Sequence, residues 1–284
     1  MKLVDSVSRM SALARMYRKE GKSIGFVPTM GALHEGHLSL IRTAKKHTDI
    51  VVVSMFINPI QFAQFEDFDK YPKDIKRDGE LARTAGADII FYPSIKEMYP
   101  DDYSTYVNVE GLTDTLCGAS RPGHFKGVAT VVAKLFGMVK PEIAYFGQKD
   151  AQQVIVLKKM VEDLNMGIEI KVLPIVRQVD GLAMSSRNAY LSEGERRDAV
   201  VLYRSLEKAE GLIRYGERDS KKIIKIMTEM IRQVPGARID YVSVVDTKDL
   251  KDMDKISQEA LIALAVYIGK TRLIDNVIVK GVIV

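Results

Sequence analysis

Two histidines three residues apart, His34 and His37, stand in the segment Pro28-Thr29-Met30-Gly31-Ala32-Leu33-His34-Glu35-Gly36-His37. A short apolar run, residues 24–27, precedes it and reads as a buried strand. An amphipathic run with Leu38, Leu40, Ile41 and Ala44 follows and reads as a helix. The histidines therefore fall where a strand hands over to a helix N-terminus, and residues three apart on a helix share a face. Free backbone N–H groups and the positive end of the helix dipole make that place an anion site. Gly31 and Gly36 let the backbone come close to a ligand. Imidazoles beside a phosphate can hydrogen-bond or protonate phosphoryl oxygens as charge builds in a transition state. The chemistry indicated is nucleotidyl transfer without a Walker-type lysine. The bland alternative is the first turn of a surface helix. Two of the chain's four histidines, flanked by two glycines, count against it.

Three further segments carry candidate chemistry. Asn58-Pro59-Ile60-Gln61 follows an apolar run, and the Gln61 amide can both donate and accept, which suits a ligand with hydroxyls and a carboxylate. Asn-Pro is also a common turn initiator. Phe146-Gly147-Gln148-Lys149-Asp150 repeats the order strand end, glycine, helix start. Lys149 suits a phosphate there, while Asp150 also fits an N-cap or a first-turn acid. Met184-Ser185-Ser186-Arg187-Asn188 places two hydroxyls and a guanidinium on a loop after Asp180-Gly181. It reads as a mobile anion clamp, or as a polar loop with a capping serine. Arg121-Pro122-Gly123-His124-Phe125 is a basic loop, either a lid or a turn leading into a helix.

The elements that must position these residues alternate. Residues 50–56 are an almost continuous β-branched run, as in a parallel strand buried on both faces. Residues 74–85 read as a helix ended by Gly86, 88–91 as a strand, and 125–139 as a helix stopped before Pro141. Residues 143–146 read as a strand, 150–164 as a helix, and 168–175 as an alternating strand. This order argues for a doubly wound parallel sheet, whose ligands bind beyond the carboxyl ends of the strands. His34, Asn58, Gln61 and Gly147 all lie just past such ends. Beyond residue 176 the pattern changes. Residues 193–215 and 220–233 read as charged amphipathic helices, and 239–245 and 260–268 as strands, followed by Arg272-Leu273-Ile274-Asp275-Asn276. Helices followed by consecutive strands suggest a separate α+β unit, with the boundary near 176–183. The expected domains are 1–176 and 177–284.

Composition narrows the function classes. A hydrophobic share of 46% and a charged share of 28% describe an ordinary globular chain, and no apolar run approaches the length of a membrane span. The first ten residues lack the apolar centre of a signal peptide. A single cysteine, Cys117, rules out an intramolecular disulfide framework and a cysteine-based zinc site, so a cytoplasmic home is the default. The net charge of +5 suits an anionic substrate or a lysine-rich surface alike. Without tryptophan or a basic stripe interleaved with aromatics, nucleic-acid binding gains no support.

Taken in order, PTMGALHEGH, FINPIQF, Tyr71-Pro72, RPGHF, YFGQKDAQQ and MSSRN resemble the motifs of the pantoate–β-alanine ligase (pantothenate synthetase) family over nearly the whole chain. The broader group is the nucleotidylyltransferase superfamily, whose H-x-G-H pair stands here as H-E-G-H. The resemblance implies a Rossmann-like, doubly wound parallel α/β sheet of nucleotidylyltransferase type with a smaller C-terminal α+β domain; because Ser185–Arg187 fall just past the domain boundary, that domain is expected to act as a lid. It implies an ATP-dependent ligase that forms pantoyl adenylate and pyrophosphate, then transfers the pantoyl group to β-alanine. By the same resemblance Met30, Gly31, Ala32, Leu33, His34, Glu35, Gly36 and His37 would cradle ATP, with His37 the acid-type catalyst. Gly147, Gln148, Lys149, Asp150, Val176, Met184, Ser185, Ser186 and Arg187 would complete the nucleotide site, the last three and Lys149 in catalytic roles. Gln61 and Gln153, with Asn58 and Arg121, would serve pantoate and β-alanine. Mg²⁺ is expected with ATP, held mostly by phosphate oxygens and water. Asp78 lies where the family's metal-associated acid would fall, and it also fits an exposed helix position. A homodimer through the nucleotide domain is implied, with no nucleic-acid or membrane partner.

Two other functions use the same segments. Another nucleotidylyltransferase, making a dinucleotide or CDP-alcohol, would share the histidine pair but not need Gln61 and Gln153. A non-catalytic nucleotide sensor would bind ATP independently of His34 and His37.

Overall fold

A computed structural model describes residues 1–63 and 66–280. In chain order its elements are β1 (Lys2–Val4), α1 (Val7–Lys19), β2 (Ile24–Thr29), α2 (Glu35–His47), β3 (Ile50–Met55), α3 (Ile75–Ala85), β4 (Ile89–Phe91) and α4 (Ile95–Met98). There follow α5 (Cys117–Ser120), α6 (His124–Val139), β5 (Ile143–Gly147), α7 (Ala151–Asp163), β6 (Glu169–Leu173) and α8 (Glu193–Asp198). The chain then runs through α9 (Val201–Arg214), α10 (Ser220–Arg232), β7 (Ala237–Asp246), β8 (Glu259–Ile268) and β9 (Thr271–Lys280).

The residues fall into two compact units. One takes in Met1–Glu110, Arg121–Gly147 and Val156–Pro174, the other Gly111–Ser120, Gln148–Ile155 and Ile175–Val284. In the first, the parallel sheet runs β1-β4-β3-β2-β5-β6. Strand order turns around β2: β3, β4 and β1 lie to one side, β5 and β6 to the other. That makes the ends of β2 and β5 the crevice of a doubly wound sheet. Alternate residues of a strand face opposite sides. Val27, Val51, Val53 and Ile90 accordingly pack with Leu40, Ile41 and Ala44 of α2 and Ala82 of α3. Phe26, of opposite parity, meets Phe136 of α6 edge-on at 6.2 Å. Each buried Val, Leu, Ile or Phe among them contributes about 1.5–3 kcal/mol. The sheet core therefore carries the stability, and the loops beyond the strand ends are available for chemistry.

In the second unit β7, β8 and β9 form an antiparallel sheet. Leu202, Leu206, Ala209 and Ile213 recur at helical spacing on α9, and Ile223, Met227 and Ile231 on α10. They share one cluster with Ile262, Leu264 and Val266 of β8.

Several elements depart from the sequence expectation. β1 and α1 were not anticipated; β1 is only three residues long and joins the sheet edge beside β4. The single helix expected over 193–215 is two, because Val200 N–H bonds Arg197 O and Leu202 N–H bonds Ala199 O, three-residue bonds that break the α-helical ladder. The helix expected from 150 opens with a tight turn at Gln148–Asp150. Among the described residues, no helix is long and apolar enough to cross a membrane.

Candidate functional site

The turn between β2 and α2 is built on strained backbone. Gly31 and Ala32 both have left-handed φ, +87° and +50°. For Ala32 that costs about 1–2 kcal/mol. Asp78 of α3 offsets it. Its Oδ2 accepts the Ala32 N–H at 2.6 Å and its Oδ1 the Leu33 N–H at 2.9 Å. Hydrogen bonds to a charged group contribute about 1.5–3 kcal/mol each, so two outweigh the strain. Arg77 holds the brace, pairing with Asp78 at 3.0 Å and reaching Leu33 O at 3.2 Å. Of the two readings of Asp78, metal-associated acid or exposed helix position, the second is overturned, for the residue is 2% exposed. The brace also gives Asp78 a use other than metal binding, since both oxygens are engaged by N–H donors. Among the described residues no group of three or more His, Cys, Asp or Glu is arranged to hold a metal ion.

His34 is the N-cap of α2, and the two histidines cap the helix reciprocally. His34 Nδ1 accepts the Gly36 N–H at 3.2 Å, and His37 Nδ1 accepts the His34 N–H at 3.3 Å. The rings lie 4.1 Å apart. Because each Nδ1 accepts, each neutral ring carries its proton on Nε2, a donor suited to a phosphoryl oxygen. Gly36 is required by this fold-back, for a Cβ there would lie 2.9 Å from the His34 ring.

Past β3, residues Pro59–Gln61 form a tight turn that begins after Asn58. Asn58 is 1% exposed and fully bonded. Its Nδ2 donates to Gly127 O at 3.0 Å and Gln61 Oε1 at 3.1 Å, while its Oδ1 accepts from the Tyr99 hydroxyl at 2.8 Å. A carbonyl can only accept, so Gly127 fixes which end of the Asn58 amide is which. Asn58 in turn fixes Gln61, whose Nε2 lies 3.1 Å from Met30 Sδ. Gln61 is thereby set to present its donor end. Burial raises the pKa of Tyr99, in keeping with a hydroxyl that stays protonated and donates.

The main chain of the same turn is fixed by the basic loop. His124 Nδ1 donates to Gln61 O at 2.8 Å, and its Nε2 receives Arg121 Nη1 at 3.0 Å. Arg121 also forks onto Glu66, with both contacts at 2.6 Å. Burial pushes the Glu66 carboxyl up, but the Arg121 bonds and charge outweigh it and leave the pKa lowered. Arg121, expected at the substrates, thus has its guanidinium engaged by Glu66 and His124. Sequence reading missed Tyr99, Gly127 and Glu66. Only Gly127 leaves a signal, a glycine inside an apolar helix, and a Cβ there would lie 2.5 Å from Ile60 O.

In the second unit, Lys149 and Gln148 are half-buried and Asp150 is exposed on the turn leading into α7. Gln153 is half-buried in the first turn of α7. Its neighbour Gln152 is buried and braces Leu112, Thr115 and Cys117. Val176 and Met184 are joined by a 3.0 Å backbone bond across a hairpin. Ser185 caps the following tight turn, Ser186–Tyr190, by accepting the Arg187 N–H. The capping role for a serine and the loop carrying Arg187 therefore coexist. Cys117 is buried, with Sγ 3.2 Å from the Tyr241 hydroxyl. A cavity of about 570 Å³ in the first unit, lined by Met55, Phe56, Lys73, Tyr92 and Glu97 among others, includes none of the candidate residues.

Comparison with known proteins agrees along the whole chain. A family model described as pantoate-beta-alanine ligase matches residues 2–278. A pantothenate synthetase from Acetivibrio thermocellus is 57% identical over 280 residues, 99% of this chain and 100% of its own length. The crystal structure of pantothenate synthetase from Thermus thermophilus superposes with a TM-score of 0.92 at 43% identity, covering 98% of this chain and 99% of that one. A pantoate-beta-alanine ligase from Francisella tularensis, complexed with beta-gamma ATP and beta-alanine, has a TM-score of 0.79 at 35% identity, covering 98% and 97%.

Proposed function

The chain belongs to the pantoate–beta-alanine ligase family, and from that membership we infer its reaction: ATP-dependent condensation of pantoate with β-alanine. The observation that carries this reading is the match along the whole chain, which includes a relative complexed with an ATP species and β-alanine. A carboxylate is a poor electrophile because its leaving group is an oxide. Attack of a pantoate carboxylate oxygen on the α-phosphorus of ATP forms pantoyl adenylate and expels pyrophosphate. The β-alanine amine then attacks the activated carbonyl, AMP leaves, and the nitrogen loses its proton. In-line attack at phosphorus calls for positioning and charge neutralisation rather than a protein nucleophile.

The residue roles form the second part of the proposal. His34 and His37 donate from Nε2 to phosphate oxygens, His37 where charge builds, and the 30–37 backbone cradles the nucleotide. Lys149, Ser185, Ser186 and Arg187 neutralise the departing pyrophosphate, with Gly147, Gln148, Val176 and Met184 lining the nucleotide and Asp150 on ribose. Gln61, donor end forward, and Gln153 hold pantoate, with Asn58 orienting Gln61. Arg121 holds the rim of the substrate site through Glu66 and His124. The domain after residue 176 acts as a lid that keeps water from the adenylate.

A divalent metal is expected of an ATP-using ligase, and we propose Mg²⁺. The described residues hold no group of three or more His, Cys, Asp or Glu arranged for a metal, and both Asp78 oxygens already accept N–H bonds, so the ion would ride mostly on phosphate oxygens and water. A homodimer and a cytoplasmic location rest on the family resemblance and, for location, on the single cysteine.

The test is exchange of labelled pyrophosphate into ATP without β-alanine. Exchange that requires pantoate is expected. Its absence, in protein that binds ATP, would overturn the reading in favour of another nucleotidyl acceptor or a sensor.

A further inference from the structure

Asp275 and Asn276 are consecutive residues of β9, and the proposed roles leave them without a task. They are 2% and 3% exposed. Polar side chains buried so deeply are kept for the bonds they make. Consecutive strand residues face opposite sides, so one step of β9 reaches two different segments.

Asn276 takes the turn that carries Lys149. Its Nδ2 donates to Gln148 O at 3.0 Å and Lys149 O at 2.9 Å, and its Oδ1 accepts from Gln148 Nε2 at 3.4 Å. Carbonyls of a helical turn point toward its C-terminus and N–H groups toward its N-terminus. A clamp on the carbonyls fixes the main chain from which the Lys149 side chain projects.

Asp275 takes the hairpin that carries Ser185. Arg177 Nη1 meets Asp275 Oδ2 at 2.7 Å and Nη2 meets Oδ1 at 3.1 Å. The same guanidinium donates to Gly181 O at 3.0 Å and lies over the Tyr203 ring at 4.6 Å. The Arg177 backbone pairs with Ala183, one residue before Met184. Burial pushes the Asp275 carboxyl up, Arg177 opposes it, and the Lys149 charge adds to that opposition.

We infer that Asp275 and Asn276 are positioning residues for the nucleotide chemistry: Asn276 sets the turn bearing Lys149, and Asp275, through Arg177, sets the hairpin that presents Ser185, Ser186 and Arg187. The inference rests on the reading that Lys149 and residues 185–187 meet ATP.

Affinity for a non-hydrolysable ATP analogue, measured by calorimetry on the full chain, tests it. Asn276→Ala is expected to weaken binding about tenfold or more, since small displacements of a binding group are costly. The double variant with Lys149→Ala is expected to bind within about twofold of Lys149→Ala alone, because residues acting through one another are not additive. Wild-type affinity in Asn276→Ala, or a double loss equal to the product of the singles, overturns the inference. If Lys149→Ala itself binds like wild type, the underlying site reading fails instead. Should Asn276→Ala not fold, Asn276→Ser, which keeps one donor, is expected to show an intermediate loss, and wild-type affinity there overturns the inference equally. Arg177→Lys keeps the charge but loses the fork. It is expected to slow pantoate-dependent pyrophosphate exchange about tenfold with the KM for pantoate within about twofold. A parallel rise in that KM would mark general loosening and contradict the hairpin role.

Discussion

The turn at residues 30–37 and the segment at 184–187 serve the same phosphate chemistry in the proposed reaction, yet their frames differ. In the first, His34 and His37 cap each other within one helical turn, Gly36 makes room for the ring above it, and a single distant carboxylate, Asp78, holds the strained entrance. In the second, Ser185 caps its own turn, but the hairpin behind it is tied to Asp275 on β9, far along the chain. A site whose geometry is made by near neighbours announces itself in the sequence. One whose geometry is borrowed from another strand shows its reactive groups and hides its frame.

Removing the chemistry of the first region should have the largest effect. His37→Ala is expected to lower pantoate-dependent pyrophosphate exchange by about 10²–10³, as loss of a charge-matching donor typically does. A rate within twofold of wild type would take His37 out of the mechanism. Gly36→Ala leaves both imidazoles present but forces the His34 ring off its position. A loss of about 10² is expected from a displacement of that size. An unimpaired Gly36→Ala enzyme would show that the reciprocal caps are not needed for catalysis.

Asp78→Asn separates brace from metal ligand. It turns an N–H donor against a backbone donor, and a loss of about 2 kcal/mol in denaturant unfolding is expected. Wild-type stability combined with a weakened requirement for magnesium would return Asp78 to the metal. Tyr99→Phe probes the amide relay and should cost less. About 1–2 kcal/mol of stability goes with an unpaired Asn58 carbonyl, and the KM for pantoate rises more than kcat falls. An unchanged KM would show that Gln61 holds its orientation without Tyr99.

The smallest effect concerns pH. The pKa of Glu66 is lowered in the folded protein, burial being outweighed by Arg121. Its stabilising contribution is therefore present above the ordinary glutamate range and is lost as pH falls through the lowered value. Unfolding midpoints of the wild type should drop toward those of Glu66→Gln on acidification through that range. Parallel curves for the two would contradict the pairing.

The sequence made the parallel sheet legible because residues 50–56 are β-branched almost throughout and glycines and prolines mark the strand ends. It made the histidine turn legible because four residues hold its whole pattern. β1 was not legible, since three residues carry no period. Asp78 looked like a surface acid because its partners, the Ala32 and Leu33 amides, are backbone groups with no residue type to betray them. Gly127 and Asn276 likewise act through backbone carbonyls, and Tyr99 meets the Asn58 amide only because the fold brings together residues 41 positions apart.

The most direct test of the central claim follows the substrate oxygen. Pantoate labelled with oxygen-18 in its carboxylate is incubated with the protein, ATP and β-alanine, and the AMP and pyrophosphate products are analysed by mass spectrometry. An adenylate route predicts one labelled oxygen in AMP for each pantothenate formed, because the carboxylate oxygen that attacks the α-phosphorus leaves with it. Unlabelled AMP alongside pantothenate would show that the acid is activated by some other route, and the pantoyl-adenylate mechanism would be wrong.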